Sequence, residues 1–99
     1  MIGVIANIKT KDGKGEQFEE IAKKLVDLVN SEEKDNIFYR LYRRSENLYT
    51  FREGYKNKEA LEYHTTTTHY KENGKAMTEF LDSRPEVEVM EEIAPNRYV

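Results

Sequence analysis

Two spacings of apolar residues alternate along this chain, and their order limits the fold more than any other feature. A spacing of two marks a strand, because successive side chains point to opposite faces. A spacing of three and four marks a helix packed along one side. Ile2 to Lys9 has the first pattern: Ile2, Val4, Ala6 and Ile8 share one face, with Gly3, Ile5, Asn7 and Lys9 on the other. Glu16 to Ser31 has the second, with Phe18, Ile21, Ala22, Leu25, Leu28 and Val29 in one stripe. Ile37 to Arg44 and Leu48 to Tyr55 return to alternation, joined by a turn at Ser45-Glu46-Asn47. Asn57 is a good N-cap for a short helix from Lys58 to His64. Thr65 to Thr68 should interrupt it, because β-branched residues with competing hydroxyls are poor helix formers. A second helical stretch follows from His69 to Ser83, with Tyr70, Met77, Phe80 and Leu81 inward and Gly74 weakening it. Arg84-Pro85 ends it. Glu86 to Ile93 alternates again.

The order is therefore β-α-β-β-α-β with the second helix broken. It predicts an α+β, ferredoxin-like domain over residues 1–99: an antiparallel sheet with its helices on one face. The second and third strands carry bulky residues on both faces. The sheet face without helices must also be covered, and a homodimer through that face is the expectation. The tail from Ala94 to Val99 is expected to reach the second subunit.

Composition removes several function classes. With no cysteine, disulfides, thiolate nucleophiles and cysteine-ligated metals are excluded, and a reducing cytoplasm suits the chain. The net charge of −3 is spread among interspersed signs, which argues against nucleic acid as a partner. No stretch approaches a membrane span, and the apolar start is too short for a signal-peptide core. Lys11-Asp12-Gly13-Lys14-Gly15 does not have the spacing of a phosphate loop and reads as a connector. The charged side of the first helix reads as a solvated face with pairs such as Glu19–Lys23. Glu32 to Asn36 reads as a polar connector.

Chemistry concentrates between Phe51 and Tyr70. The chain's two histidines, His64 and His69, flank the four threonines. On an unbroken helix they would stand about 140° apart, a poor metal pair. Either alone could act as a general base near neutral pH, or simply pack. Glu53 shares a face with Tyr49, Phe51 and Tyr55, so it either pairs with an arginine of the next strand or faces a cavity. Asn7 is unusual in a strand: it is either a tolerated edge residue or an amide pointing into a pocket.

The segment FREGYKNKEALEYHTTTTHYKENGKAMTEFL, the following RPEVEVMEEI and the opening VIANIKTKDGKGEQFEEIAKKL resemble the antibiotic biosynthesis monooxygenase family of small dimeric α+β-barrel proteins. The resemblance implies a cofactor-free enzyme. A quinol-like or polyketide-like aromatic would lose a proton there, and its anion would react with O2. It offers His64 as base or orienter and Asn7 as an oxygen-binding amide. Tyr49, Tyr55 and Tyr70 would be walls or hydroxyl donors, with Glu53 and His69 also lining the substrate site. Haem-degrading relatives carry tryptophan near the position of His64 and a ligating histidine near that of Gly74, so haem and metal are not expected. Two other readings stay open. One is an isomerase or tautomerase of a small carbonyl compound, similar to the enzyme that processes autoinducer-2. The other is a non-catalytic dimeric ligand-binding or stress protein.

Overall fold

A computed structural model describes residues 1–95 of the chain. Its elements are β1 (Ile2–Lys9), α1 (Gly15–Glu32), β2 (Asn36–Ser45), β3 (Leu48–Tyr55), α2 (Lys58–Thr66), α3 (Thr68–Thr78) and β4 (Glu86–Glu91). The four strands form one sheet in the order β2-β3-β1-β4, and every neighbouring pair is antiparallel. The helices lie on one face, as the ferredoxin-like order requires. The part of the C-terminal tail expected to reach a partner falls mostly outside the described residues.

The α1 stripe builds the centre of the core. Phe18, Ala22, Leu25 and Val29 are essentially without exposure. They meet Ala6 and Ile8 of β1, Tyr39 of β2, Tyr49 and Phe51 of β3, and Met77 of α3. Phe18 lies 4.8 Å from the Tyr49 ring and meets Phe51 edge-on at 6.4 Å. Such tilted contacts add to the apolar area removed from water.

Three local expectations change. A register shift between Asn36 and Phe38 takes Ile37 out of the alternation and leaves it exposed, so Tyr39 and Leu41 are the inward residues of β2. The second helical stretch ends at Thr78 instead of Ser83. Leu81 then bridges to Thr10, and this non-helical contact closes the end of the core. The threonine break is confined to one residue. Thr65 and Thr66 stay helical by returning their hydroxyls to the carbonyls of Glu62 and Tyr63 at 2.8 and 2.7 Å.

The charged side of α1 is not simply solvated. Glu19 accepts the Tyr49 hydroxyl at 2.6 Å and the Arg43 guanidinium at 2.7 Å. The Tyr49 hydrogen bond, and then that of Arg43, hold its carboxyl below the usual range. This tie fastens the start of α1 to β2 and β3.

Candidate active site

Thr67 decides the geometry here. It is the C-cap of α2 and the N-cap of α3, with an extended backbone at φ −70° and ψ 149°. Its hydroxyl donates to the His64 carbonyl at 2.8 Å, and the same oxygen accepts the Tyr70 amide at 3.2 Å. The chain therefore changes direction between the two histidines, and their rings converge. His64 Nδ1 lies 2.9 Å from Glu33 Oε2 and 3.0 Å from Oε1, while His69 Nε2 lies 2.6 Å from the same Oε2. Glu33 caps the C-terminus of α1 and is buried, as is His64.

An ionised carboxylate only accepts, so His64 carries its proton on Nδ1 and keeps a lone pair on Nε2. Nε2 makes no hydrogen bond among the described residues. No buried side-chain nitrogen or oxygen there lacks a partner, so Nε2 must open on the cavity that His64 lines. Burial lowers the His64 pKa, outweighing the opposing pull of Glu33, and His69 lowers it further. The ring is thus a neutral base at neutral pH.

The cavity holds about 480 Å³ between the sheet and α2–α3. Val4, Ala6 and Ile8 of β1, Phe51 of β3 and Val87 and Val89 of β4 give it an apolar floor. Tyr39, Glu53, His64 and Tyr70 are grouped in its wall. The Tyr39 ring lies 5.3 Å from that of His64, and Tyr70 meets His64 edge-on at 4.7 Å. Burial, with Glu53 next, holds the Tyr39 hydroxyl well above its ordinary pKa, so it stays a donor.

Glu53 takes the cavity alternative and has no arginine partner among the described residues. Burial raises its pKa to about 7, against a lowering hydrogen bond from Tyr55 and a raising contribution from Glu33. A raised folded-state pKa contributes stability that is fully present below the unfolded value near 4.5 and is lost as pH rises through about 7. Glu53→Gln should remove that slope. Between pH 5 and pH 8 the wild type is expected to lose ~2–3 kcal/mol relative to the variant. Urea unfolding of both proteins at the two pH values measures this, and parallel behaviour would contradict it.

The other expected site residues are scattered. Tyr55 is fully buried beneath His64, rings 5.3 Å apart, and donates to Glu53 at 2.7 Å. It backs the wall and does not line the cavity. Tyr49 sits under the first turns of α1, bound to Glu19, away from the cavity. Asn7 belongs to the opposite sheet face from Val4, Ala6 and Ile8, where it accepts the Thr50 hydroxyl at 2.7 Å. Strand alternation therefore separates it from His64 by the thickness of the sheet. His69 borders an outer groove with Thr67 and Asn73, not the cavity. Glu33 and Tyr39 were missed from the sequence. Glu33 was hidden in a polar stretch, and its one signal was an acidic residue at a helix C-terminus, where the dipole disfavours it. Among the described residues, no three His, Asp or Glu side chains are disposed to hold a metal ion. No helix there is long and apolar enough to cross a membrane.

The model of the family described as antibiotic biosynthesis monooxygenase matches residues 1–76. The chain belongs to that family. Its fold is similar to that of a candidate antibiotic biosynthesis monooxygenase from Caulobacter crescentus, at 29% identity and TM-score 0.89 over 94% of this chain and 90% of the other. A conserved protein from Methanosarcina mazei Go1 is similar at 26% identity and TM-score 0.84, covering 90% and 89%. A further family structure, from Nitrosomonas europaea, shares the fold at TM-score 0.88 with 17% identity, covering 95% and 100%. No curated protein matches the chain. The family match is consistent with the cavity described above, a space for a small molecule, and leaves the substrate to be argued from its walls.

Proposed function

We propose that this member of the family is a cofactor-free monooxygenase that oxidises a small quinol-like or polyketide-like aromatic with O2. The observation that carries the reading is His64. Its Nδ1–H is held by buried Glu33, and its Nε2 lone pair opens on an aromatic-walled cavity. Nε2 removes the proton of a substrate hydroxyl. Tyr39 and Tyr70 stand beside the resulting oxyanion as hydroxyl groups, and the apolar floor excludes water. The substrate supplies the electrons. A quinol and O2 give a hydroxyquinone and water, one oxygen entering the ring and the other leaving with two hydrogens. Oxygen uptake with a panel of naphthoquinols tests the reaction class. Uptake no faster than the autoxidation blank rejects it.

A second reading is favoured by Glu53 alone. A carboxyl with a pKa near 7 in the same cavity wall as a neutral histidine makes an acid–base pair suited to tautomerising a small carbonyl compound without oxygen. Exchange of carbon-bound hydrogen for deuterium in a keto sugar phosphate, with O2 removed, separates the two.

The uncovered sheet face supports a homodimer. Along one rank across the strands it presents Arg40, Arg52, Ile5 and Glu88, and along the next Tyr42, Thr50, Asn7 and Glu86. A two-fold axis parallel to the strands inverts this order, setting Arg40 of β2 over the partner's β4, where the glutamates lie, and β3 over the partner's β1. The surface is thus self-complementary. Sedimentation is expected to give twice the chain mass for the wild type and a shift toward monomer for Arg40→Glu. A monomeric wild type would defeat this arrangement. The cysteine-free composition fits a cytoplasmic location, which cell fractionation tests.

A further inference from the structure

The side that α3 turns to the cavity is mixed: Tyr70 and Met77 line it together with a row that is not apolar. Lys71, Gly74, Lys75 and Thr78 follow at the steps that share one side of a helix, and all four line the cavity. Both lysines are also exposed, so they stand at the rim and not in the depth. Neither has a carboxylate partner among the described residues. Between them Gly74 leaves open space, with nothing within 4 Å of where a Cβ would be. The charges lining the cavity are therefore uneven. Two unpaired cations flank a gap at the mouth, while the one carboxyl, Glu53, is in the wall on β3 with Tyr55 hydrogen-bonded to it.

We propose that the cavity takes an aromatic compound bearing an anionic group, a carboxylate, sulfonate or phosphate, which Lys71 and Lys75 hold at the rim over Gly74. The ring system lies on the apolar floor of Val4, Ala6 and Val87 and points its reacting end at His64. The division of labour follows from the chemistry of each region. Apolar area supplies affinity, and the paired ammonium groups fix which end enters first. Two lysines, with their flexible stems, suit a rim where the anion remains partly hydrated. The inference rests on the cavity being a substrate site but needs no turnover to be examined.

Two probes with the same aromatic frame separate the charge from the rings: 8-anilino-1-naphthalenesulfonate and its uncharged parent N-phenyl-1-naphthylamine. Fluorescence titration of the folded wild type at low salt is expected to show the sulfonate binding at least about tenfold more tightly. Lys71→Gln/Lys75→Gln should abolish that preference while leaving the affinity for the uncharged probe within about twofold. Added salt should weaken only the sulfonate. Equal binding of the two probes overturns the proposal, as does a preference that survives the double substitution. So does failure of either probe to bind. Circular dichroism of the variant guards against loss of fold, and Lys75→Gln alone should lose part of the preference. If naphthoquinols prove not to be oxidised, the monooxygenase reading falls while the charge preference is judged by these titrations alone.

Discussion

His64→Ala is expected to lower enzyme-dependent oxygen uptake on a responsive quinol by ~10²–10⁴-fold, the usual contribution of a positioned general base. The loss should fall on kcat more than on KM, because Nε2 acts on the proton and the apolar floor carries most of the binding. The wild-type rate should also have an acid limb below the usual histidine range. Burial lowers the His64 pKa, so the ring stays a base at pH values where an exposed histidine would already be protonated. Initial rates between pH 5 and pH 8 for both proteins measure the two effects. A variant retaining a third or more of the wild-type rate would remove His64 from the chemistry.

Glu33→Ala should cost ~3–5 kcal/mol of stability, the largest loss expected from any polar residue here. Its carboxylate is the acceptor for two ring N–H groups, at 2.9 and 2.6 Å, and deleting it leaves both unpaired beside a new void. Glu33→Gln separates stability from function. The amide keeps the shape, but His64 Nδ1 lies within 3.0 Å of both oxygen positions, so in either orientation the NH2 stands against it and favours a lone pair there instead of a proton. Stability should drop by only ~1–2 kcal/mol. The His64 tautomer would no longer be fixed, and kcat should fall at least about tenfold. Urea unfolding and oxygen uptake on the two variants test this. Equal damage from alanine and glutamine in both measurements would mean that Glu33 serves only as packing.

Folding without stabilising pairs at the surface would not explain this arrangement, because the costs lie inside. A carboxylate, two imidazoles and a half-neutral Glu53 share one small region under α2 and α3. Buried polar groups are tolerated when each is hydrogen-bonded, and here each buried one has its partner among the described residues. Those groups also contribute opposite pH dependences. His64, with its lowered pKa, weakens the fold as pH falls below the unfolded histidine value, while Glu53 weakens it as pH rises through about 7.

Periodicity made the architecture legible. The α1 stripe, the alternation in β1 and β3 and the N-cap at Asn57 all stand where the spacing puts them, because each depends on residues near one another in the chain. The inward face of β3, with Tyr49, Phe51, Glu53 and Tyr55, was legible for the same reason. What alternation could not reveal was how far along that face the cavity extends. Tyr49 and Glu53 are four residues apart on one side of a strand, yet one is fastened to α1 and the other opens on the site.

The sequence by itself determined the order of elements and the buried stripe. Alternation set Asn7 opposite Val4, Ala6 and Ile8, but only the fold put the cavity on the face of those three and so took Asn7 out of the site. Only the tertiary structure decided that His64 and His69 meet. Five residues along an ideal helix would hold them apart, but the extended backbone at Thr67 turns α3 and brings both rings to Glu33, 31 and 36 residues earlier in the chain. A contact of that range depends on how α1 packs against α2 and α3, and packing is a property of volumes and directions that no local spacing encodes.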